Sequence, residues 1–595
     1  MALTDNSNSS RASSIFIYRG VGAVPVDSTH VRVDASSTDI PQNAFASCRD
    51  LREVELPEGL QRIGESAFAF CTSLMTVNIP STVTVIDQYA FRNCSKLEGI
   101  ILPQGLVQLG SLAFYGCDSL QAIVVPPLIQ ILSGGIFWNC TGLTHVTLST
   151  GLREIQGNVF TGCTSLVSVY FPSSLKRIWG ASFSRVGLST FTLPDSIESI
   201  GESVFANCTF TTFRMPPLVA MFEVNIFDGG NAIVSIELSE GIEQVTCNDE
   251  DYYIELSELR NIAFPRGVEF GLNNETLESF VSLAKVFPDR NGDEMLDSLR
   301  RRFEGLPIHN ICYYHSYRDA ETVLMDLKRE INPWAAKFLG KLNETGKRPD
   351  CLGMTPLHIL ACSTKHELVM FQLLVEKYPE TLVTKDKWGD TPLTYALWCN
   401  APRGVIQFLV ESYQVNYPDY EFDWEGMIIT IANSHAPISN IQNLMDTHRQ
   451  SFSHQKCDMK NLVITMVESI TSPFMQRCAP GETFRFLLHA SISERLNSLN
   501  VNRWRTLLEK SIDVIPDYTN LRHHHTMSIY AELEEFELLK EATSVLELAL
   551  WKVAIDNRLE KKSRIGDGAS YRDQCRINCC AEIVIRNVMP FFPSW

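Results

Sequence analysis

Apolar side chains recur along the first part of the chain at a fixed step. Phenylalanine stands at Phe45, Phe68, Phe91, Phe114, Phe137, Phe160 and Phe183, each 23 residues from the last, and continues at Phe205 and Phe227 after two steps of 22. The same frame carries Cys48, Cys71, Cys94, Cys117, Cys140, Cys163 and, after a gap, Cys208. It also carries Pro57, Pro80, Pro103, Pro126, Pro172, Pro194 and Pro216. Such self-similarity marks a solenoid, in which one short unit is stacked many times and each copy buries its apolar edge on the next.

One unit reads Leu51-x-x-Val54-x-Leu56-Pro57-x-Gly59-Leu60-x-x-Ile63-Gly64-x-x-Ala67-Phe68-x-x-Cys71. Val54-x-Leu56 alternates as a short strand does, with successive side chains on opposite faces. Pro57 lacks an N–H for a ladder and ends the strand. Gly59, like Gly105 and Gly151 in later units, relieves the corner that follows. Ala67-Phe68 returns along the opposite side, where the rings are expected to stack as a spine. The central strand residues Val31, Val54, Val77, Ile100, Ile123, Val146, Val169, Phe191, Phe213, Ile236 and Ile262 predict eleven strands between residues 28 and 270.

If these strands line one face, the residues flanking each centre point outward. They are Glu53 and Glu55, Thr76 and Asn78, Gly99 and Ile101, Ala122 and Val124, His145 and Thr147, Ser168 and Tyr170, Thr190 and Thr192, Thr212 and Arg214, and Ser235 and Glu237. The middle of this row is apolar or small and its ends are polar, which is how a partner site looks. Ile101, Val124, His145, Thr147 and Tyr170 are the candidate partner-binding residues. The alternative is that the chain's own C-terminal half covers the face.

The unit Leu97-x-x-Ile100-x-Leu102-Pro103-x-Gly105-Leu106 with Ala113-Phe114-x-x-Cys117 resembles the BspA-type, or treponemal-class, leucine-rich repeat. The resemblance implies a right-handed solenoid whose strand-lined face binds proteins and performs no catalysis. Bacterial relatives are often surface adhesins. The opening Met1-Ala2-Leu3-Thr4-Asp5 has neither a basic nor an apolar leader, so export as an adhesin is the alternative reading.

Further along, Gly353-Met354-Thr355-Pro356-Leu357-His358-Ile359-Leu360-Ala361 is followed 36 residues later by Gly389-Asp390-Thr391-Pro392-Leu393-Thr394-Tyr395-Ala396. This pair resembles the ankyrin repeat and implies a second protein-binding surface. Thr as cap and Pro in the first turn satisfy a helix start, and His358 is expected to close that turn by hydrogen bonding rather than to act as a base. Leu306-Pro307-Ile308-His309-Asn310-Ile311-Cys312 reads as a degenerate earlier copy, and Met427 to Asp446 as a degenerate later one. The rest reads as helical, with an amphipathic stretch from Val545 to Val553. The order of these parts resembles a family of repeat proteins found in diatoms, a likeness that implies architecture and carries over no catalytic residue.

Charge and chemistry narrow the function. A formal net charge of −18 argues against a general phosphate-backbone binder, and Lys176-Arg177 and Arg300-Arg301-Arg302 read as solvated surface charge. No apolar stretch is long enough to span a bilayer. The 17 cysteines include the in-frame set, read as a ladder of buried free thiols in a reducing compartment, because parallel Cβ vectors oppose disulfide torsion. Without an export signal, the sequons at Asn93, Asn139 and Asn207 imply no glycan. Asp289 to Glu294 lacks the glycine a calcium loop needs at its sixth position. The thiols Cys575, Cys579 and Cys580 and the run His523-His524-His525 lack zinc-site spacing. No phosphate-binding glycine loop, nucleophile elbow or His-Glu-x-x-His is present.

These readings predict an α+β repeat protein, a leucine-rich-repeat β-solenoid followed by an all-α ankyrin-like array and a helical C-terminal region. The expected boundaries are 1–27 for a tail and cap, 28–270 for the solenoid, 271–304 for an acidic helical cap or linker, 305–450 for ankyrin-like repeats and 451–595 for the helical end. The expected function is a non-enzymatic, cytoplasmic protein-interaction scaffold with unknown protein partners. No nucleic acid, membrane, cofactor, metal or catalytic residue is expected. The alternatives are an exported adhesin or an enzyme activity within the C-terminal helices.

Overall fold

The computed structural model describes residues 15–20, 24–25, 27–228, 232–246, 256, 258–271, 281–331, 345–433 and 436–457. The readings of Val545 to Val553, Cys575, Cys579, Cys580 and His523 to His525 lie outside them. Residues 1–420 with 435–443 form one unit, and 421–434 with 444–595 a second.

In the first unit each 23-residue repeat makes one coil. Its first side is the expected strand, paired in parallel with the next coil at a constant offset, as Glu53 with Thr76 and Thr76 with Gly99. The second side carries another, shorter strand, such as Arg62–Ile63, Val85–Ile86 and Gln108–Leu109, also paired in parallel. Each of these buries a single aliphatic residue, among them Ile63, Ile86, Leu109 and Leu132. One inward residue is too few to register as alternation, so the sequence pattern did not disclose this ladder.

The third side is a chain of turns in which each coil uses left-handed residues at two positions. One column contains Asn43, Ser66, Tyr89, Leu112, Gly135 and Asn158, and the other Ser47, Phe70, Asn93, Gly116, Asn139 and Gly162, all at positive φ. Asn, Ser and Gly tolerate this conformation, whereas a bulky L-residue gives up about 1–2 kcal/mol there.

The core repeats what the frame promises. Rings Phe45 through Phe183 stack at centroid spacings of 4.9 to 5.7 Å with planes within 26° of one another. Tyr18 closes the N-terminal end of the spine, 4.9 Å from Phe45. The thiols of Cys71, Cys94, Cys117, Cys140 and Cys163 each donate to the carbonyl of a phenylalanine one coil back, Phe45 to Phe137 in turn, at 3.1 to 3.2 Å. Burial pushes Cys94 and Cys163 up to about 12, which keeps them protonated and poorly nucleophilic. The twelve cysteines among the described residues are free thiols.

Two expected strands need correction, and one strand is added. Within the segment expected as tail and cap, Phe16–Tyr18 forms a strand paired with Val31 to Val33. Around Phe191 there is no strand: the coil is one residue short and its ring packs instead against Phe183 and Phe205, at 5.2 and 4.9 Å. Ile262 follows a lone bridge between Asn261 and Ser235 rather than lying in a strand. The main ladder therefore holds ten strands among the described residues, from Phe16–Tyr18 to Ser235–Glu237.

Helices follow within the same unit. Gly292–Arg300 is capped by the Asn291 side chain, which accepts from the Glu294 N–H at 2.9 Å, so Asn291 to Glu294 form a helix start. Pro307–Tyr314, Ala320–Ile331, Pro356–Ala361, Leu368–Lys377, Pro392–Trp398 and Arg403–Asn416 come next. The second unit contains Trp424–Asn433 and an aromatic cluster of Phe422, Trp424 and Phe452.

Candidate protein-binding face

The main ladder sets Asn78 beside Ile101, and Val124 beside Thr147 and Thr147 beside Tyr170. Its neighbouring column sets Ala122 beside His145 and His145 beside Ser168. In each strand the central residue is inward, which leaves Ile101 83%, Val124 58% and Tyr170 67% exposed. His145 and Thr147 are also exposed, and the His145 ring nitrogen Nδ1 lies 2.8 Å from the Thr144 hydroxyl. Gly99 and Ala122 beside them add no bulk, so the apolar run stands on a shallow floor. All five candidates thus share one open face. Val167, 60% exposed, extends it. The sequence signalled Val167 only as an apolar residue just before the strand, where Met75 is also apolar and other coils place Arg52, Glu98, Gln121 or Thr144.

At one end this face is closed by charge. Arg32 grips Glu55 at 2.5 and 3.1 Å, and His30 approaches Glu53 at 3.6 Å.

At the other end the protein covers itself. Thr212, Arg214, Ser235 and Glu237, expected to point to solvent, are buried. Arg214 lies 4.4 Å from the Tyr317 ring and pairs with Asp195 at 2.8 Å. The Glu237 carboxylate accepts from the N–H and hydroxyl of Thr364 at 2.8 and 3.0 Å. The Tyr313 hydroxyl donates to the Ile236 carbonyl at 2.8 Å and accepts from the N–H groups of Leu238 and Ala263 at 3.2 and 3.1 Å. A solenoid end otherwise presents unpaired backbone groups, and this tyrosine occupies them.

Arg302 completes the joint. Far from being solvated, its side chain is fully buried, as is that of Asp350, 2.6 Å away. It also donates to the Asn261 side chain and the Ile262 carbonyl, both at 2.7 Å. One guanidinium thus binds the last coil to the first ankyrin turn. Arg260 makes a parallel link, paired with Asp390 and 4.6 Å from the Trp398 ring.

The ankyrin turns share a device. Asp350 Oδ1 accepts from the N–H groups of Leu352 and Met354 at 2.8 and 2.9 Å, and Asp386 Oδ1 from those of Trp388 and Asp390 at 3.0 and 2.9 Å. Three residues after each aspartate stands a glycine in left-handed conformation, Gly353 and Gly389. His358 closes its helix start as expected, its Nδ1 accepting from the Thr355 N–H at 3.2 Å.

Three histidines of this region, His309, His358 and His366, are held below their ordinary value by burial, the last at about 4, which predicts acid sensitivity. Burial pulls His309 down to about 4 and lowers His358 as well. A histidine held below its unfolded value of about 6.5 contributes stability above that pH and loses it as the pH falls toward 4. Asp390, pushed up to about 6 by burial, acts in the opposite sense. Urea unfolding of wild type and His309→Asn should therefore diverge. From pH 6.5 to 4.5 the wild type is expected to lose about 2 kcal/mol more than the variant.

Among the described residues no helix is long and apolar enough to cross a membrane. The same residues contain no cluster of three or more His, Cys, Asp or Glu side chains placed to hold a metal ion.

Fold and face define a repeat protein of two joined arrays. The model described as a BspA type leucine rich repeat region (6 copies) matches residues 38–167 and 153–274, and that for ankyrin repeats (3 copies) matches 328–419. The chain therefore carries BspA-type leucine-rich repeats followed by ankyrin repeats. Solved structures similar to it include a leucine-rich repeat protein from Bacteroides ovatus, at 22% identity over 42% of this chain and 76% of that one, with a TM-score of 0.34. The T. pallidum leucine rich repeat protein is 27% identical over 30% of this chain and 75% of its own, with a TM-score of 0.25. A leucine rich cell surface protein from Faecalibacterium prausnitzii is 24% identical over 40% and 78%, with a TM-score of 0.30. No curated protein matches the chain.

Proposed function

We propose that this protein is a non-enzymatic scaffold that docks a protein partner on the strand-lined face at Ile101, Val124, His145, Thr147 and Tyr170. Leucine-rich and ankyrin repeats are interaction modules whose stacked units present extended surfaces. The observation that carries the reading is selective exposure. The chain's own helices bury the last strands of the ladder, yet an uncharged apolar run is left open on the earlier ones. Uncharged neighbours suit a partner surface with an apolar ridge, with specificity set by the polar rim. The ladder of free thiols supports a reducing, cytoplasmic setting.

The test is affinity capture on the full chain, wild type against the Ile101→Asp, Val124→Asp double variant, with circular dichroism to establish that both fold. Placing two charges at the centre of such a contact is expected to weaken binding at least about a hundredfold. A folded double variant that retains the same proteins would remove this face from the account.

A further inference from the structure

The turn side of the coils carries an arrangement independent of the strand-lined face. The Arg92 guanidinium carbon lies 5.3 Å from the ring centre of Phe70, 5.3 Å from that of Tyr89 and 5.4 Å from that of Tyr115, rings drawn from three successive coils. Trp138, one coil further, meets Tyr115 edge-on at 5.6 Å. Some arginines of the solenoid hold carboxylates, as Arg32 holds Glu55, Arg62 Asp87 and Arg177 Glu154; what sets Arg92 apart is its ring of aromatic neighbours. Among the described residues the Arg92 side chain has no such partner, and its Nε is shielded from solvent without an acceptor.

Two of the walls stand where the repeat itself does not ask for them. Phe70 and Tyr89 occupy left-handed turn positions, at φ +62° and +59°, that neighbouring coils fill mostly with Asn, Ser or Gly. Bulky side chains are disfavoured there; Leu112 and Arg185 carry the same cost in later coils, and at Phe70 and Tyr89 it places rings around this guanidinium. Strain of that kind concentrates at ligand-holding sites. The rings hold the guanidinium in a cation–π setting, and with Nε shielded its terminal Nη groups are left to receive an oxyanion.

We propose that the Phe70, Tyr89, Arg92 and Tyr115 cage is a docking point for a single carboxylate, an Asp or Glu side chain carried by an extended segment of a protein partner. One half-buried cation matches a monoanion, whereas a phosphate dianion calls for further positive charge. The rings supply apolar walls for the residue's stem. With a net charge of −18 the protein has no general attraction for acidic peptides, so saturable binding of one reports a local site. At physiological salt, screening over about 8 Å confines the repulsion from distant charges.

The experiment is fluorescence anisotropy of a labelled hexaglutamate peptide on the full chain, with unlabelled hexaglutamate, hexaglutamine and inorganic phosphate as competitors. Saturable binding is expected, displaced by hexaglutamate and not by hexaglutamine, and weakened roughly tenfold or more in Arg92→Met. Phe70→Asn is expected to weaken it about threefold while leaving the thermal midpoint unchanged or higher, because asparagine suits the left-handed turn. That divergence of binding from stability is what a purely structural cage would not show. Absence of saturable binding, or retained affinity in folded Arg92→Met, would overturn the proposal. Displacement by phosphate at concentrations no higher than the peptide's would overturn the carboxylate assignment.

Discussion

Replacing Arg302 with methionine is expected to destabilise the chain by about 3–5 kcal/mol, as removing one partner of a buried ion pair does. The magnitude follows from what is left behind. Asp350 keeps a buried oxygen without its cation, and the Asn261 side chain and Ile262 carbonyl lose their donor at the same time. Asp350 also holds its own turn through Oδ1, so Asp350→Asn, which retains that oxygen, is the appropriate second variant. Urea unfolding of both single variants and the double should show strong coupling, with the double costing well under the sum. Additive losses would mean that the pair is not the link between coil and ankyrin turn. Solenoid and ankyrin helices should also unfold with less cooperativity in Arg302→Met, since interface terms between neighbours couple a repeat array.

The second large effect is at the spine. Phe114 is fully buried between Phe91 and Phe137, at centroid distances of 5.4 and 5.7 Å. Phe114→Ala opens a cavity that neighbouring coils cannot close, because their backbones are held in register by two ladders and a chain of turns. The expected loss is about 3–5 kcal/mol, read as a lowered urea midpoint. Phe114→Leu should recover much of it. A loss below about 1 kcal/mol for the alanine variant would show that the coils collapse around the gap, and that the stack contributes little.

The main ladder, the spine and the thiol ladder were legible because each depends on one kind of side chain recurring in frame: mostly a β-branched aliphatic, a phenylalanine and a cysteine. Phe68 and Cys71 mean the same thing in every coil, so many weak local signals add. The second ladder was not legible, because one buried aliphatic residue per coil, such as Ile63, has no alternation to announce it. Phe191 misled for the opposite reason: it kept the residue type while its coil lost one residue of spacing, and the ring moved into the spine as the strand disappeared.

The candidate face was legible up to the point where long-range contacts decide. Ile101 and Glu237 occupy equivalent positions, and nothing within either repeat says that one is open and the other buried. That depends on Tyr317 and Thr364, far along the chain. Arg302 was read as surface charge for the same reason, since its partners Asn261 and Asp350 lie 41 and 48 residues away. Repeats disclose local structure well. They do not disclose what a distant helix lays upon them.

The most direct test of the docking face is site-specific photocrosslinking in a whole lysate of the source cells, with a benzophenone side chain placed at position 124 in the full chain and, as control, at exposed position 58 on a corner of the coil. If the strand-lined face receives the partner, position 124 should yield a discrete crosslinked protein that Ile101→Asp abolishes, and position 58 should not. Equal crosslinking at the two positions, or a product at 124 that survives Ile101→Asp, would contradict the account.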